Sequence, residues 1–305
     1  MARVQFGVML PQIKRGWDET RAAAVEMDRL GYHSVWVNDH LYGIPMPSIP
    51  ILEAWTTLAA VAAVTSTVEL GTLVTPIGFR NPALLAKMVA TLDTIANGRV
   101  IVGLGSGWFA QEFSGYGIEF PPVQDRLRQL DEGVQLMRRL WSEEQVTFAG
   151  RYYKTEDVYC APKPPRRPPI LIGGGGEQVL LKLVARHADL WNNLAVNLGQ
   201  LAAKVAVLHR HCEAVGRDPA TLRISQQTMV VIGSDAADAQ AKADKAQRIY
   251  GGHMGSGIAG TPAQCIEQIE ALARQGCSLI MIEFFGRDVR DPAQLFAETV
   301  MPAFA

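Results

Sequence analysis

Long apolar runs are scarce in this chain. The longest nearly apolar stretch, residues 58–64, falls far short of the roughly 20 residues that a helix needs to cross a bilayer. The opening ten residues lack the extended apolar segment and small-residue cleavage site of a secretory signal, so a cytoplasmic setting is expected. Cysteine is sparse: four among 305 residues, at positions 160, 212, 265 and 277. Their spacing suits neither a metal cluster nor a disulfide framework, and free buried thiols are expected. Neither sign of charge dominates, with 29 Lys and Arg against 30 Asp and Glu, and the densest basic cluster is the pair Arg166-Arg167. Nucleic acid and anionic membrane surfaces are therefore poor partners for it. There is no Gly-x-Ser-x-Gly elbow, no P-loop lysine and no His-x-x-x-His pair, so hydrolase, NTPase and metalloenzyme readings lack support and no metal is expected.

What is present is an ordinary globular composition, 48% hydrophobic and 19% charged, arranged as a strand–helix alternation. Strands are expected at 4–10, 34–38, 68–74, 99–104, 170–172, 188–193, 222–232 and 279–284. Helices are expected at 18–30, 53–65, from Asn81-Pro82 onward, and at 124–141, 177–187, 198–215 and 236–249. Two more follow, one opened by Thr261-Pro262 and one at 292–300. Strands apolar on both faces, alternating with helices, indicate a parallel sheet covered on its faces. A doubly wound open sheet is the rival. Eight units in about 300 residues favour the α/β class with a (β/α)8 TIM barrel, read as a single domain over 1–305. Residues 142–168 break the rhythm with a hairpin-like alternation and five prolines between 162 and 169, and they read as an insertion between strands 4 and 5.

In such a barrel the chemistry gathers at the C-terminal strand ends. The fifth strand stops at Gly173-Gly174-Gly175-Gly176, with a helix expected from Glu177. Glycine lets the backbone turn sharply and bring several N–H groups close to an anion, and a helix N-terminus would add its own donors. A phosphate cradle is the functional reading, and a glycine turn required by packing alone is the alternative. Strand 2 ends in Asn38-Asp39-His40, the only histidine beside a carboxylate in the chain. His40 could exchange a proton with Asp39 holding its charge state, or the two could simply order a loop. Strand 4 ends in Gly103-Leu-Gly-Ser-Gly-Trp108. Trp108 stands where a dinucleotide fingerprint requires its third glycine, so that fold is set aside and Trp108 is expected to wall a pocket. His253, in the glycine-rich loop at 250–258, could belong to a mobile lid or to a surface loop.

Four segments together resemble the bacterial luciferase-like monooxygenase superfamily, and most closely its coenzyme F420-dependent oxidoreductases. They are Val35-Trp-Val-Asn-Asp-His40, Leu70-Gly-Thr-Leu-Val-Thr75 with Arg80-Asn-Pro82, Gly98 through Phe109 with Glu112-Phe113, and Pro169 through Gly176. The resemblance implies a TIM barrel, usually a homodimer, with a flavin or deazaflavin across its mouth. Thr72, Leu73 and Val74 would then form the bulge under the ring, often with a non-prolyl cis peptide at Leu73-Val74. Asp39 and His40 would flank the ring, Ser106, Gly107 and Trp108 would lie near it, and Gly173–Gly176 would hold the phosphate. The implied activity is hydride transfer between F420 and a small organic substrate, with His40 moving the proton and Asp39 orienting it. The alternatives are an FMN-dependent monooxygenase using reduced flavin and O2, and a cofactor-binding barrel without turnover. Sugar-phosphate dehydrogenases of this superfamily carry glutamate where this chain has Trp108 and tryptophan where it has Ile44. These departures argue against a glucose-6-phosphate reaction.

Overall fold

A computed structural model describes residues 3–251 and 257–305; His253 and the tip of its loop lie outside the described residues. Eight strands carry the architecture: β1 (Gln5–Met9), β2 (Ser34–Val37), β3 (Glu69–Thr72), β4 (Val100–Gly105), β5 (Ile170–Gly173), β6 (Leu190–Asn193), β7 (Arg223–Ile232) and β8 (Cys277–Phe284). Each pairs in parallel with the next, and β8 pairs with β1, so the sheet closes on itself. Closure gives each of these eight strands a neighbour on both sides and makes this a (β/α)8 barrel. The helices are α1 (Trp17–Arg29), α2 (Ala54–Val64), α3 (Pro82–Ile95), α4 (Ala110–Gly115), α5 (Val123–Ser142), α6 (Leu180–His187), α7 (Leu201–Ala214), α8 (Ala236–Tyr250), α9 (Pro262–Arg274) and α10 (Arg290–Thr299). The insertion between β4 and β5 is an antiparallel hairpin of Gln145–Ala149 with Lys154–Tyr159.

The alternation of side chains along each strand sorts the core into two shells. Inward residues Met9, Trp36, Leu73, Ile101, Leu171, Leu190, Leu279 and Met281 fill the barrel. Outward residues such as Val35, Val37, Val100 and Val102 pack under the helices in a larger cluster. Trp36 is fully buried, and two glycines make room for it. A Cβ on Gly71 would lie 2.2 Å from its Cζ3, and one on Gly7 would lie 2.5 Å from its Nε1.

Helix starts follow the cap chemistry of the sequence. The Glu53 carboxylate accepts from Trp55 N and Thr56 N, and the Asn81 side chain accepts from Ala83 N with Pro82 at the first helical position. Three expectations need correction. Helix α6 begins at Leu180, because residues 177–179 form a turn in which Leu181 N reaches back to Gly176 O at 3.0 Å. β3 stops at Thr72, and Thr75–Pro76 pairs separately with β4. A short strand, Ile258–Gly260, pairs with β7 where only loop was expected. All four cysteines are free and buried. Among the described residues, no helix is long and apolar enough to span a membrane, and no His, Cys, Asp and Glu cluster could hold a metal.

Candidate active site

A cleft of about 670 Å³ opens over the C-terminal strand ends, lined by His40, Leu73, Val74, Ser106, Gly107, Trp108 and Gly173 through Gly176. Ten of the twelve sequence-expected positions thus meet in one space, together with Asn38, Val123, Leu127, Leu194 and Gln227. The peptide between Leu73 and Val74 is cis.

Asp39 and Thr72 do not line this cleft. The inward register that buries Trp36 continues through Asn38 and His40, so Asp39 points outward by the same alternation. Its carboxylate is buried against Arg80, with Nη1–Oδ2 at 2.7 Å and Nη2–Oδ1 at 3.2 Å. Thr75 Oγ1 (2.7 Å) and Trp55 Nε1 (3.1 Å) also donate to it. Burial pushes the Asp39 pKa up, and Arg80 opposes that rise. Arg80 also pairs with Glu53, the cap of α2, so Asp39 ties the strand end to the helix layer and does not orient His40. Thr72 is fully buried and donates to Gly103 O at 2.9 Å. It braces β3 against β4 below the cleft floor.

The carboxylate that holds His40 is Glu112. It lies on α4 and is 1% exposed, and its Oε2 and Oε1 lie 2.8 and 3.0 Å from His40 Nδ1. Oε1 also accepts from Leu41 N and Tyr42 N, each at 2.9 Å. An ionised carboxylate only accepts, so Nδ1 carries the proton and Nε2 is the nitrogen left to the cleft. The ring of Trp108 stands edge-on to the imidazole at 5.9 Å. At 66% exposure, Trp108 presents a large apolar face to whatever occupies the cleft. Glu112 lies in one of the resemblance segments, yet nothing in its local sequence marks it as the partner of a residue 72 positions away.

The glycine loop is built from behind. Trp191 Nε1 donates to Gly174 O at 2.8 Å, and the buried Lys204 Nζ donates to Gly175 O at 2.9 Å and to Glu177 Oε1 at 3.1 Å. In a trans peptide the N–H points opposite to the carbonyl. Pulling these two carbonyls outward therefore turns the N–H groups of Gly175 and Gly176 toward the cleft, where neither has an acceptor among the described residues. Side chains here would close the space. A Cβ on Gly105 or Gly173 would come within 2.8 or 2.9 Å of Val74, and one on Gly174, at φ +132°, within 2.4 Å of Leu180. Beside Gly173 in the β5–β6 register, the buried Asn192 Nδ2 has no hydrogen-bond partner among the described residues. The arrangement offers an anion two oriented donors, a flat apolar floor at Leu73-Val74, and one imidazole fixed in tautomer and direction.

A family model described as luciferase-like monooxygenase matches residues 1–257. An F420-dependent hydroxymycolic acid dehydrogenase of Mycobacterium tuberculosis is 33% identical over 236 residues, 77% of this chain and 65% of that one. An F420-dependent glucose-6-phosphate dehydrogenase of Kineococcus radiotolerans is 40% identical over 171 residues, 54% of this chain and 49% of that one. The matched region thus spans half to two thirds of the length of these relatives. In fold, the chain resembles an F420-dependent secondary alcohol dehydrogenase solved with an F420-acetone adduct, at a TM-score of 0.86 and 23% identity over 100% of both chains. Barrel, cleft and sequence agree, and the chain belongs to the luciferase-like monooxygenase family.

Proposed function

We propose that this protein is an F420-dependent oxidoreductase that transfers a hydride between the deazaflavin and a small organic substrate. The loop at 174–176, whose carbonyls are held by Trp191 and Lys204 with its N–H groups left free, supports a phosphate-bearing flavin or deazaflavin, and the choice of F420 rests on the similarity to F420-dependent dehydrogenases. The residues present fit such a cofactor. The loop would take the phosphate, and Leu73-Val74 would support the ring, with Gly105 and Gly173 leaving room beside Val74. Beside the loop, the buried Asn192 amide has no hydrogen-bond partner among the described residues. When bound, the deazaflavin supplies the two-electron chemistry at its C5 position.

The rest falls to the chain's own side chains. Glu112 holds the His40 imidazole with Nε2 toward the cleft, where it gives or takes the proton that accompanies hydride transfer. Trp108 and Leu127 narrow the cleft against water. The same reading carries a homodimer, supported by the exposed apolar side chains of Leu84 and Ile95 on α3 and Val64 on α2; sedimentation velocity tests it. For the cofactor, purified protein is titrated with F420 and with FMN. Saturable F420 binding is expected, and tight FMN binding without F420 binding overturns the proposal in favour of a flavin monooxygenase.

A further inference from the structure

The inner face of β8 ends in a half-buried carboxylate. Leu279 and Met281 fill the barrel, and the same alternation turns Glu283 inward at the C-terminal end of the strand. Gln227, which lines the cleft, stands opposite Met281, and Met229 stands opposite Glu283. The carboxylate therefore adjoins the cleft at its β7–β8 edge, three strands round the barrel from the glycine loop on β5. Its surroundings are apolar and aromatic. Met229 packs in one cluster with Val231, Ala246 and Phe285, and the ring of Tyr250, at the end of α8, stands edge-on to Phe285 at 6.3 Å. Burial pushes the Tyr250 pKa up, the Glu283 charge adds to that rise and Arg15 opposes it, so the phenol lies within reach of both charges. Arg15 is itself engaged, with Glu19 at 3.4 Å and Arg287 O at 3.2 Å. Burial pushes the Glu283 pKa up as well, and no hydrogen bond or cation among the described residues opposes that rise. Asp39 and Glu112, by contrast, are answered by Arg80 and by two backbone N–H groups. A carboxylate taken out of water is costly unless a donor or a cation compensates it, and aromatic rings beside it favour an organic cation over a neutral donor.

We propose that Glu283, with the rings of Tyr250 and Phe285 beside it, is a substrate subsite for a protonated amino group, so that the substrate carries a basic nitrogen remote from its reacting carbon. The inference rests on the oxidoreductase reading above and narrows its substrate to a cationic class. Glu283 holds the nitrogen by charge and leaves the proton exchange to His40. Because the carboxylate is only half-buried, its contribution is modest.

The test is a calorimetric titration of the full chain at pH 7.5, with and without F420, using two probes of one shape: cyclohexylamine, an alkylammonium at that pH, and cyclohexanol. The amine should bind about tenfold tighter than the alcohol, the size of one charge-assisted hydrogen bond discounted for solvent access. Glu283→Gln, folded by circular dichroism, should bind the two probes alike with its F420 affinity unchanged, and Glu283→Asp should keep part of the preference. Equal affinity in the parent protein, or binding of neither probe, overturns the subsite whatever the stability of the variants. A preference that survives in Glu283→Gln does the same, and in each case F420 binding leaves the cofactor reading standing. A preference lost in Glu283→Gln, in a protein that does not bind F420, upholds the subsite and overturns the cofactor reading.

Discussion

Glu112 does for His40 what the adjacent Asp39 does not. It is buried, it already accepts two backbone N–H groups, and it fixes Nδ1 as the protonated nitrogen. Replacing it with Gln keeps the shape but removes the acceptor-only carboxylate that fixes the tautomer. Glu112→Gln is expected to lower kcat by roughly 10- to 100-fold with KM little changed. A parent-like kcat would reduce Glu112 to a loop anchor. His40→Ala should lose about 100- to 10,000-fold in turnover, the usual span for a lost general acid or base. The glycines make an equally local prediction. A Cβ at Gly175 would sit 2.6 Å from Asn197 Nδ2 and 3.4 Å from the Lys204 ammonium, whereas one at Gly176 meets only Leu180 Cβ at 3.5 Å. Gly175→Ala should therefore weaken cofactor binding by an order of magnitude or more, roughly the loss of one charge-assisted hydrogen bond, and Gly176→Ala should be tolerated. Fluorescence titration of both variants decides this, and equal effects would show that the loop is not shaped as a cradle.

At the level of elements, one carboxylate sets the entry into β3. Asp28, near the end of α1, accepts from the backbone of Ser66, Thr67 and Val68. Burial pushes its pKa up, but hydrogen bonds from Thr67, Ser66 and Val68 outweigh that and hold it at about 2. The folded pKa is depressed, so this stabilisation is complete above the ordinary value of 3.8 and is lost as pH falls through about 2. Asp28→Ala should cost about 2 kcal/mol in urea unfolding at neutral pH, where several donors lose their acceptor together. A change under 0.5 kcal/mol would mean that water replaces it. Neither Asp28 nor Glu112 is marked by its neighbours in sequence, because each acts on residues 38 to 72 positions away. The strand–helix rhythm was legible because periodicity and caps are local, and so was the gathering of His40, Val74 and Gly173 at one rim. Asp39 could have been placed too: counting by twos from the inward Trp36 sends His40 in and Asp39 out. The strand Ile258–Gly260 depends on pairing with the distant backbone of β7, which no local pattern carries.

Across the whole molecule, the two ends of the barrel divide function from stability. The cleft takes the C-terminal strand ends, and a polar cluster closes the N-terminal ends. There, His33 lies before β2, Glu69 at the start of β3, Arg166 ahead of β5, and Arg223 at the start of β7, bonded to Gln5 of β1. Burial pushes the His33 pKa down to about 4, aided by Arg223 at 3.3 Å and opposed by Glu69. Its imidazole is therefore neutral in the folded barrel over a range where the unfolded chain binds a proton. Between about pH 6.5 and 4 the unfolded state holds more protons at this position, so stability rises with pH across that window. The contribution is complete above about 6.5 and drains away as pH falls toward 4, by on the order of 2 kcal/mol after allowing for partial solvent access. Urea unfolding at pH 7.5 and pH 4.5 should show that drop in the parent protein, and His33→Gln should reduce it by a comparable amount. Cofactor affinity at pH 7.5 should be unaffected in the variant, because the substitution lies at the opposite end of the barrel from the glycine loop. An unchanged pH dependence in His33→Gln would assign the acid sensitivity to other groups, and a parallel loss of cofactor binding would show that the two ends are mechanically coupled.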